Sequence, residues 1–235
     1  MGRLHIITND TAAQKKLWVD VLGGKLATIG RLEFAMFPGV LVGFRQGESN
    51  GGTEGSIVDH LGFLVRDLAA TRAKLAVSAK ILRELPDTHQ FFAGFPGGVV
   101  VEFTEDPSLV VPIKHHHIHF ATPEVDEMRA WYVSLFGAIP GTRGKFKAAD
   151  LPGVNLSWKP VEKASLPTKG RSLDHIGFEV KGINDLFAKA LAAGAKVDLA
   201  PTEMSEFGEV AAIFIDPWGT RVELTQPLRK TQNPQ

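Results

Sequence analysis

Cysteine is absent from the 235 residues, which excludes disulfide staples and thiolate metal sites; any bound metal must rest on imidazole and carboxylate. An excess of one charge is also missing. Lys plus Arg and Asp plus Glu number 26 each, with no long basic run, so the footprint of a nucleic-acid binder is lacking. The opening residues, Met1-Gly2-Arg3-Leu4-His5, enter a strand-like run directly, without the apolar stretch of a secretory signal, and the expectation is a cytoplasmic protein. Apolar residues at 44% and charged residues at 22% are ordinary globular usage, so neither disorder nor a membrane span is expected.

What the chain does contain is a repeat. Leu4-His5-Ile6-Ile7-Thr8 returns as Ile118-His119-Phe120-Ala121-Thr122, and Phe37-Pro38-Gly39-Val40 as Leu151-Pro152-Gly153-Val154, both displaced by 114 residues. Asp59-His60-Leu61-Gly62-Phe63 matches Asp174-His175-Ile176-Gly177-Phe178 at 115, and Val101-Glu102-Phe103-Thr104 matches Val222-Glu223-Leu224-Thr225 at 121, so six residues were inserted in the last unit. A repeat read this way takes precedence over the assignment of single elements. The length suits two domains, residues 1–110 and 111–235, each of two units.

Each of the four units reads as a strand, an amphipathic helix and a small meander closed by a Pro/Gly hairpin. In the first, Leu4 to Thr8 is the strand, Asp10 or Thr11 a helix cap, and Gly23-Gly24 the stop. The third has Pro123 at the helix start and a buried stripe of Met128, Trp131, Leu135 and Phe136. The other helices are expected over residues 68–77 and 183–193. Residues 103–114, with Pro107 and Pro112, read as the connector between halves, and His115 and His116 as its solvated end. His89 reads as a turn residue and Trp18, Trp131 and Trp158 as core, while Trp218 stands at a hairpin tip.

The repeat carries one set of metal-binding residue types twice: His5, His60 and Glu102, then His119, His175 and Glu223. Two imidazoles and a carboxylate suit Fe(II), Mn(II), Zn(II), Ni(II) or Co(II) and leave coordination positions open to a substrate. A single histidine at a strand end is usually just hydrogen-bonded; six matched positions argue otherwise. Both glutamates lie in apolar strands, where an unpaired carboxylate is costly and a cation would compensate it.

A βαβββ unit used four times, with strand-opening histidines, Gly-Phe after two of them, and Asp216-Pro217-Trp218-Gly219-Thr220-Arg221-Val222-Glu223-Leu224 near the end, resembles the vicinal oxygen chelate superfamily. Its members include glyoxalase I, the type I extradiol dioxygenases, fosfomycin-resistance proteins and methylmalonyl-CoA epimerase. The resemblance implies an α+β fold in which four βαβββ modules pair into two cupped mixed sheets with flanking helices, metal ligands projecting into each cup. Two pairings complete two triads. Units one and two share a cup, as do three and four; or one pairs with four and two with three, grouping His5 with His175 and Glu223, and His119 with His60 and Glu102.

The chain departs from parts of the family pattern. A fourth ligand, found in glyoxalase I and the epimerases, would fall at Gly43 and Ser157. The acid/base histidine and the tyrosine typical of the dioxygenases are missing; Tyr132, the single tyrosine, lies on a helix. A strand has period two, so His117 shares a side with His119 and could serve as acid/base, while Arg3 holds the equivalent place beside His5 as an anion clamp. The resemblance implies a divalent-metal enzyme, Fe(II) favoured, acting on a small substrate chelated through adjacent oxygens, with extradiol-type chemistry preferred. Glyoxalase-like lyase, isomerase or thiol-transferase chemistry, and a non-catalytic ligand-sequestering module like the bleomycin-resistance proteins, are the alternatives. The partner expected is a small molecule, with homo-oligomerisation allowed and neither nucleic acid nor membrane involved.

Overall fold

The computed structural model describes residues 2–228. The first unit consists of β1 (Gly2–Thr8), α1 (Thr11–Lys15) running into a π-helical turn (Lys16–Val21), β2 (Lys25–Ile29), β3 (Leu32–Phe37) and β4 (Val40–Gln46). The second has β5 (Val58–Val65), α2 (Leu68–Leu75), β6 (Lys80–Leu85), β7 (Gln90–Phe95) and β8 (Val99–Glu105). The third has β9 (Ile113–Thr122), α3 (Val125–Phe136), β10 (Ile139–Arg143), β11 (Phe146–Leu151) and β12 (Val154–Pro160). The fourth has β13 (Leu173–Glu179), α4 (Ile183–Ala192), β14 (Lys196–Met204), β15 (Glu209–Ile215) and β16 (Arg221–Pro227).

Local chemistry accounts for the helix ends. The Asp10 and Asp67 carboxylates accept from the backbone N–H groups of Ala13 and Ala70, capping α1 and α2. Gly137 ends α3 at a φ of 70°, which a side chain would oppose. That helix starts at Val125, two residues beyond Pro123, because the Thr122 hydroxyl turns the chain by accepting from the Glu124 N–H.

Among the described residues sixteen strands form two eight-stranded sheets, in the orders β14-β15-β16-β13-β1-β4-β3-β2 and β10-β11-β12-β9-β5-β8-β7-β6. The first therefore joins unit one to unit four, and the second joins unit two to unit three. A division into residues 1–110 and 111–235 follows the repeat but cuts both sheets. The reason lies in the seams: β1 pairs antiparallel with β13, and β5 with β9, so each opening strand meets one from the other half of the chain. Within its own unit each opening strand lies parallel to the last one.

The convex faces share one contiguous core. Trp18 packs among Phe37, Phe63 and Phe95, and its indole N–H donates to the buried Gln14, which donates in turn to the Pro96 carbonyl. Trp158 stacks on Phe120 beside Tyr132. α3 buries Met128, Tyr132 and Leu135, and α4 buries Ile183, Phe187 and Ala190. Trp218 packs against Trp131. His115 corrects the expectation of a solvated linker end. The β5/β9 ladder extends to Val65↔Ile113, so His115 lies inside a strand, 2% exposed and packed on Phe63. Among the described residues no helix is long and apolar enough to cross a membrane.

Candidate metal centres

The seams decide what meets. His5 stands opposite His175, and His60 opposite His119, so the opening histidines face each other in pairs across antiparallel strands. The glutamates arrive from the last strands, Glu102 in register with Gly62 and Glu223 with Gly177. The glycine of each Gly-Phe motif leaves the room this needs. A Cβ on Gly177 would come within 2.9 Å of Glu223 Oε2, and one on Gly62 within 1.8 Å of the His117 ring.

The first cup holds His5, His175 and Glu223, each offering one ligand atom, all within 4.8 Å of one another. The His5 and His175 rings stack at 4.1 Å. His5 Nε2 stands 3.2 Å from Glu223 Oε2, yet neither atom makes an aligned hydrogen bond. Burial would raise the Glu223 carboxyl, but the His5 and His175 imidazoles and Arg3 hold it at about 2. His175 is lowered to about 4 by burial and by His5, which leaves its imidazole neutral at pH 7. Its Nδ1–H donates to Asp174 at 2.6 Å, and Asp174 is held in turn by Arg221 and the Gly170 N–H.

The second cup is richer. His60, His117 and His119 each offer a nitrogen, all within 4.8 Å of one another. Glu102 Oε2 stands 3.0 Å from His60 Nε2 and 3.7 Å from His117 Nε2. Its other oxygen accepts from Arg143, Gln90 and Thr104. Burial opposes ionisation of Glu102, but His60 and Arg143 bring its pKa down to about 2. His119 falls to about 3 through burial and the neighbouring His60, and His117 falls well below its ordinary value through burial and Arg143. His60 moves the other way. Burial would lower it, but Asp59 and Glu102 on its two nitrogens raise it.

These donors fit a divalent cation. The buried His5 Nε2, Glu223 Oε2 and His119 Nε2 have no hydrogen-bond partner, a costly state that a metal would relieve. The lowered imidazoles of His119 and His175 and the ionised carboxylates of Glu102 and Glu223 are in the protonation states metal binding needs.

All six expected ligand residues thus lie in the cups, three in each. His117, the expected acid/base, sits fully buried among the second set. Arg3 is engaged otherwise: its guanidinium donates twice to Glu209, at 2.6 and 2.5 Å, and is 4.0 Å from Glu223, so the expected anion clamp is already closed. Gly43 and Ser157 stand in register with His5 and His119, at the places a fourth ligand would take. Sequence reasoning missed Asp59 and Asp174, which accept from the histidines that follow them and fix those rings. The signal was there, in an Asp-His pair written twice.

Against known proteins, a family model described as Glyoxalase/Bleomycin resistance protein/Dioxygenase superfamily matches the second half of the chain. The match spans residues 114–224. The fold extends the likeness to the whole. Glyoxalase I from Zea mays superposes with a TM-score of 0.72 at 16% identity, over 95% of this chain and 91% of that one. A single-residue variant of the same enzyme gives 0.75 at 16% identity, over 95% and 92%. A protein of Bacillus subtilis subsp. subtilis str. 168, described as a candidate dioxygenase, gives 0.66 at 15% identity, over 96% and 84%. At such identities the fold is shared, while the reaction is not thereby fixed. No curated protein matches the chain in sequence.

Proposed function

We propose that the protein is a divalent-metal-dependent enzyme acting on a small substrate that presents two adjacent oxygens, with ring-opening dioxygenase chemistry preferred and the second cup as its main site. His60, His119 and Glu102 would hold the ion there, Fe(II) by preference and Mn(II), Zn(II), Ni(II) or Co(II) as alternatives; His5, His175 and Glu223 would hold one in the first cup. When bound, such an ion supplies Lewis acidity and a template for the two oxygens.

The observation that carries the proposal is His117. Its ring is fully buried against Glu102 and His60, behind a cavity of about 780 Å³ that Glu102, His60 and His116 line, and it is neutral at pH 7. A neutral imidazole there would accept a proton from a substrate hydroxyl relayed through His116. Its Nδ1 lies 3.0 Å from His116 Nδ1, and His116 lines the cavity, giving that proton a neighbour toward solvent. Asp59 and Lys159 hold His60 in place, and Arg143 with Gln90 and Thr104 holds Glu102. Phe92 and Phe146 set ring edges against His60 and His119 and exclude water from the floor.

A glyoxalase-like lyase or isomerase is the second reading, favoured by the superposition on glyoxalase I and opposed by glycine and serine at the fourth ligand place. Oxygen uptake with catechol by Fe(II)-loaded protein, abolished in His119→Ala, is the expected result. Turnover of a hemithioacetal under anaerobic conditions with Zn(II), Mn(II) or Ni(II), and no oxygen uptake with Fe(II), would replace the first reading by the second. Full metal content in both His5→Ala and His119→Ala, measured by elemental analysis, would remove both.

A further inference from the structure

The walls of the second cup are built alike on both sides. On one side the edge of Phe92 meets the His60 ring at 5.2 Å and 82°, and the Arg83 guanidinium lies over Phe92 at 4.2 Å. On the other, Phe146 meets His119 at 4.7 Å and 86°, and the Lys145 ammonium lies over Phe146 at 5.5 Å. Each wall thus reads, from floor to mouth, imidazole, phenyl ring, cation. Arg83 comes from β6 and Lys145 from the turn after β10, the two edges of one sheet, and both line the cavity.

The cations of the cup divide into two groups. Arg143 is spent on Glu102 and Lys159 on Asp59. Arg83 and Lys145 have no carboxylate partner among the described residues; each lies over an aromatic ring, which does not use up its hydrogen-bond donors. In the first cup three of the four lining arginines face carboxylates, Arg3 with Glu209, Arg31 with Glu206 at 3.9 Å and Arg221 with Asp174 and Asp198, which leaves Arg45 alone without a carboxylate partner among the described residues.

We propose that the second cup selects a planar anionic substrate, one whose carboxylate or comparable anionic group lies at the mouth against Arg83 and Lys145 while its oxygen pair reaches the floor. This rests on the reading of that cup as the reactive site and specifies its substrate class. A carboxylate meets a guanidinium through two parallel hydrogen bonds, and the two unpaired cations attract the anion before it enters. The aromatic rings below them give a flat substrate its walls.

The test compares two probes with the same oxygen pair, 3,4-dihydroxybenzoate and catechol, binding to Zn(II)-loaded protein by isothermal titration. The carboxylate probe is expected to bind roughly tenfold more tightly, its advantage shrinking as salt rises from about 20 mM to about 500 mM. In the Arg83→Gln/Lys145→Gln double variant the ratio of the two constants is expected to fall to about one. Equal binding of the probes by the unaltered protein, or an undiminished ratio in the double variant, would overturn the proposal. A parallel titration of metal-free protein with benzoate and benzyl alcohol reads the anion preference without chelation. A preference there without zinc uptake would sink only the metal reading; no preference there would sink this one.

Discussion

His117 and Arg3 hold equivalent places in the repeat, two residues before His119 and His5, and that single difference gives the two cups different chemistry. A neutral imidazole can take up and return a proton, whereas a guanidinium remains charged and here is neutralised by Glu209. His117→Asn is expected to retain metal by elemental analysis and to lose roughly 10²- to 10⁴-fold in kcat, the range for removal of a general base. Loss of metal in the same variant would instead make His117 a ligand. The three histidines 115–117 also show where residue types alone mislead. Beside Pro112 the first two read as a polar linker end, but the strand buries His115 on the core side, sets His116 in the cavity wall and packs His117 against His60 and Glu102.

At the scale of elements, the Gly-Phe motif after each second histidine explains how four side chains fit on one strip of sheet. Phe63 faces the core, and Gly62 lies under the His117 ring. Gly62→Ala would force that ring aside and is expected to cost about 1–3 kcal/mol in denaturant unfolding, together with the activity that depends on His117. Gly177→Ala, whose Cβ comes no nearer than 2.9 Å to Glu223 Oε2 and 3.0 Å to the Arg3 Cβ, should be milder. Similar effects for the two on the floor of the second cup would argue against this account. Strand and helix order was legible because hydrophobic period and turn residues recur four times, and the residues that meet in the cups because they recur at fixed offsets. The π-helical turn after α1 was not, since Leu17 and Trp18 suit either helix; nor were the carboxylates Asp59 and Asp174, whose role depends on ring orientation.

At the scale of the whole molecule, the pairing of units lay beyond the sequence, because either arrangement completes two sets of ligands and the offsets favour neither. The seams β1/β13 and β5/β9 make the choice, and they predict the behaviour of half the chain. Residues 111–235 alone would leave β9 and β13 without antiparallel partners. Since β9 corresponds to β1 in the repeat, two copies of this fragment should join β9 of one to β13 of the other, giving a dimer in sedimentation with two cups; a folded monomer would contradict the assignment. Such a dimer of identical chains would have no choice but to build the same cup twice, with His117 in both. A single covalent chain is free of that obligation. Each of its pockets draws on both halves, yet a substitution at one place in the repeat alters one pocket alone, so catalysis can be refined on one side while the other drifts toward a different guest.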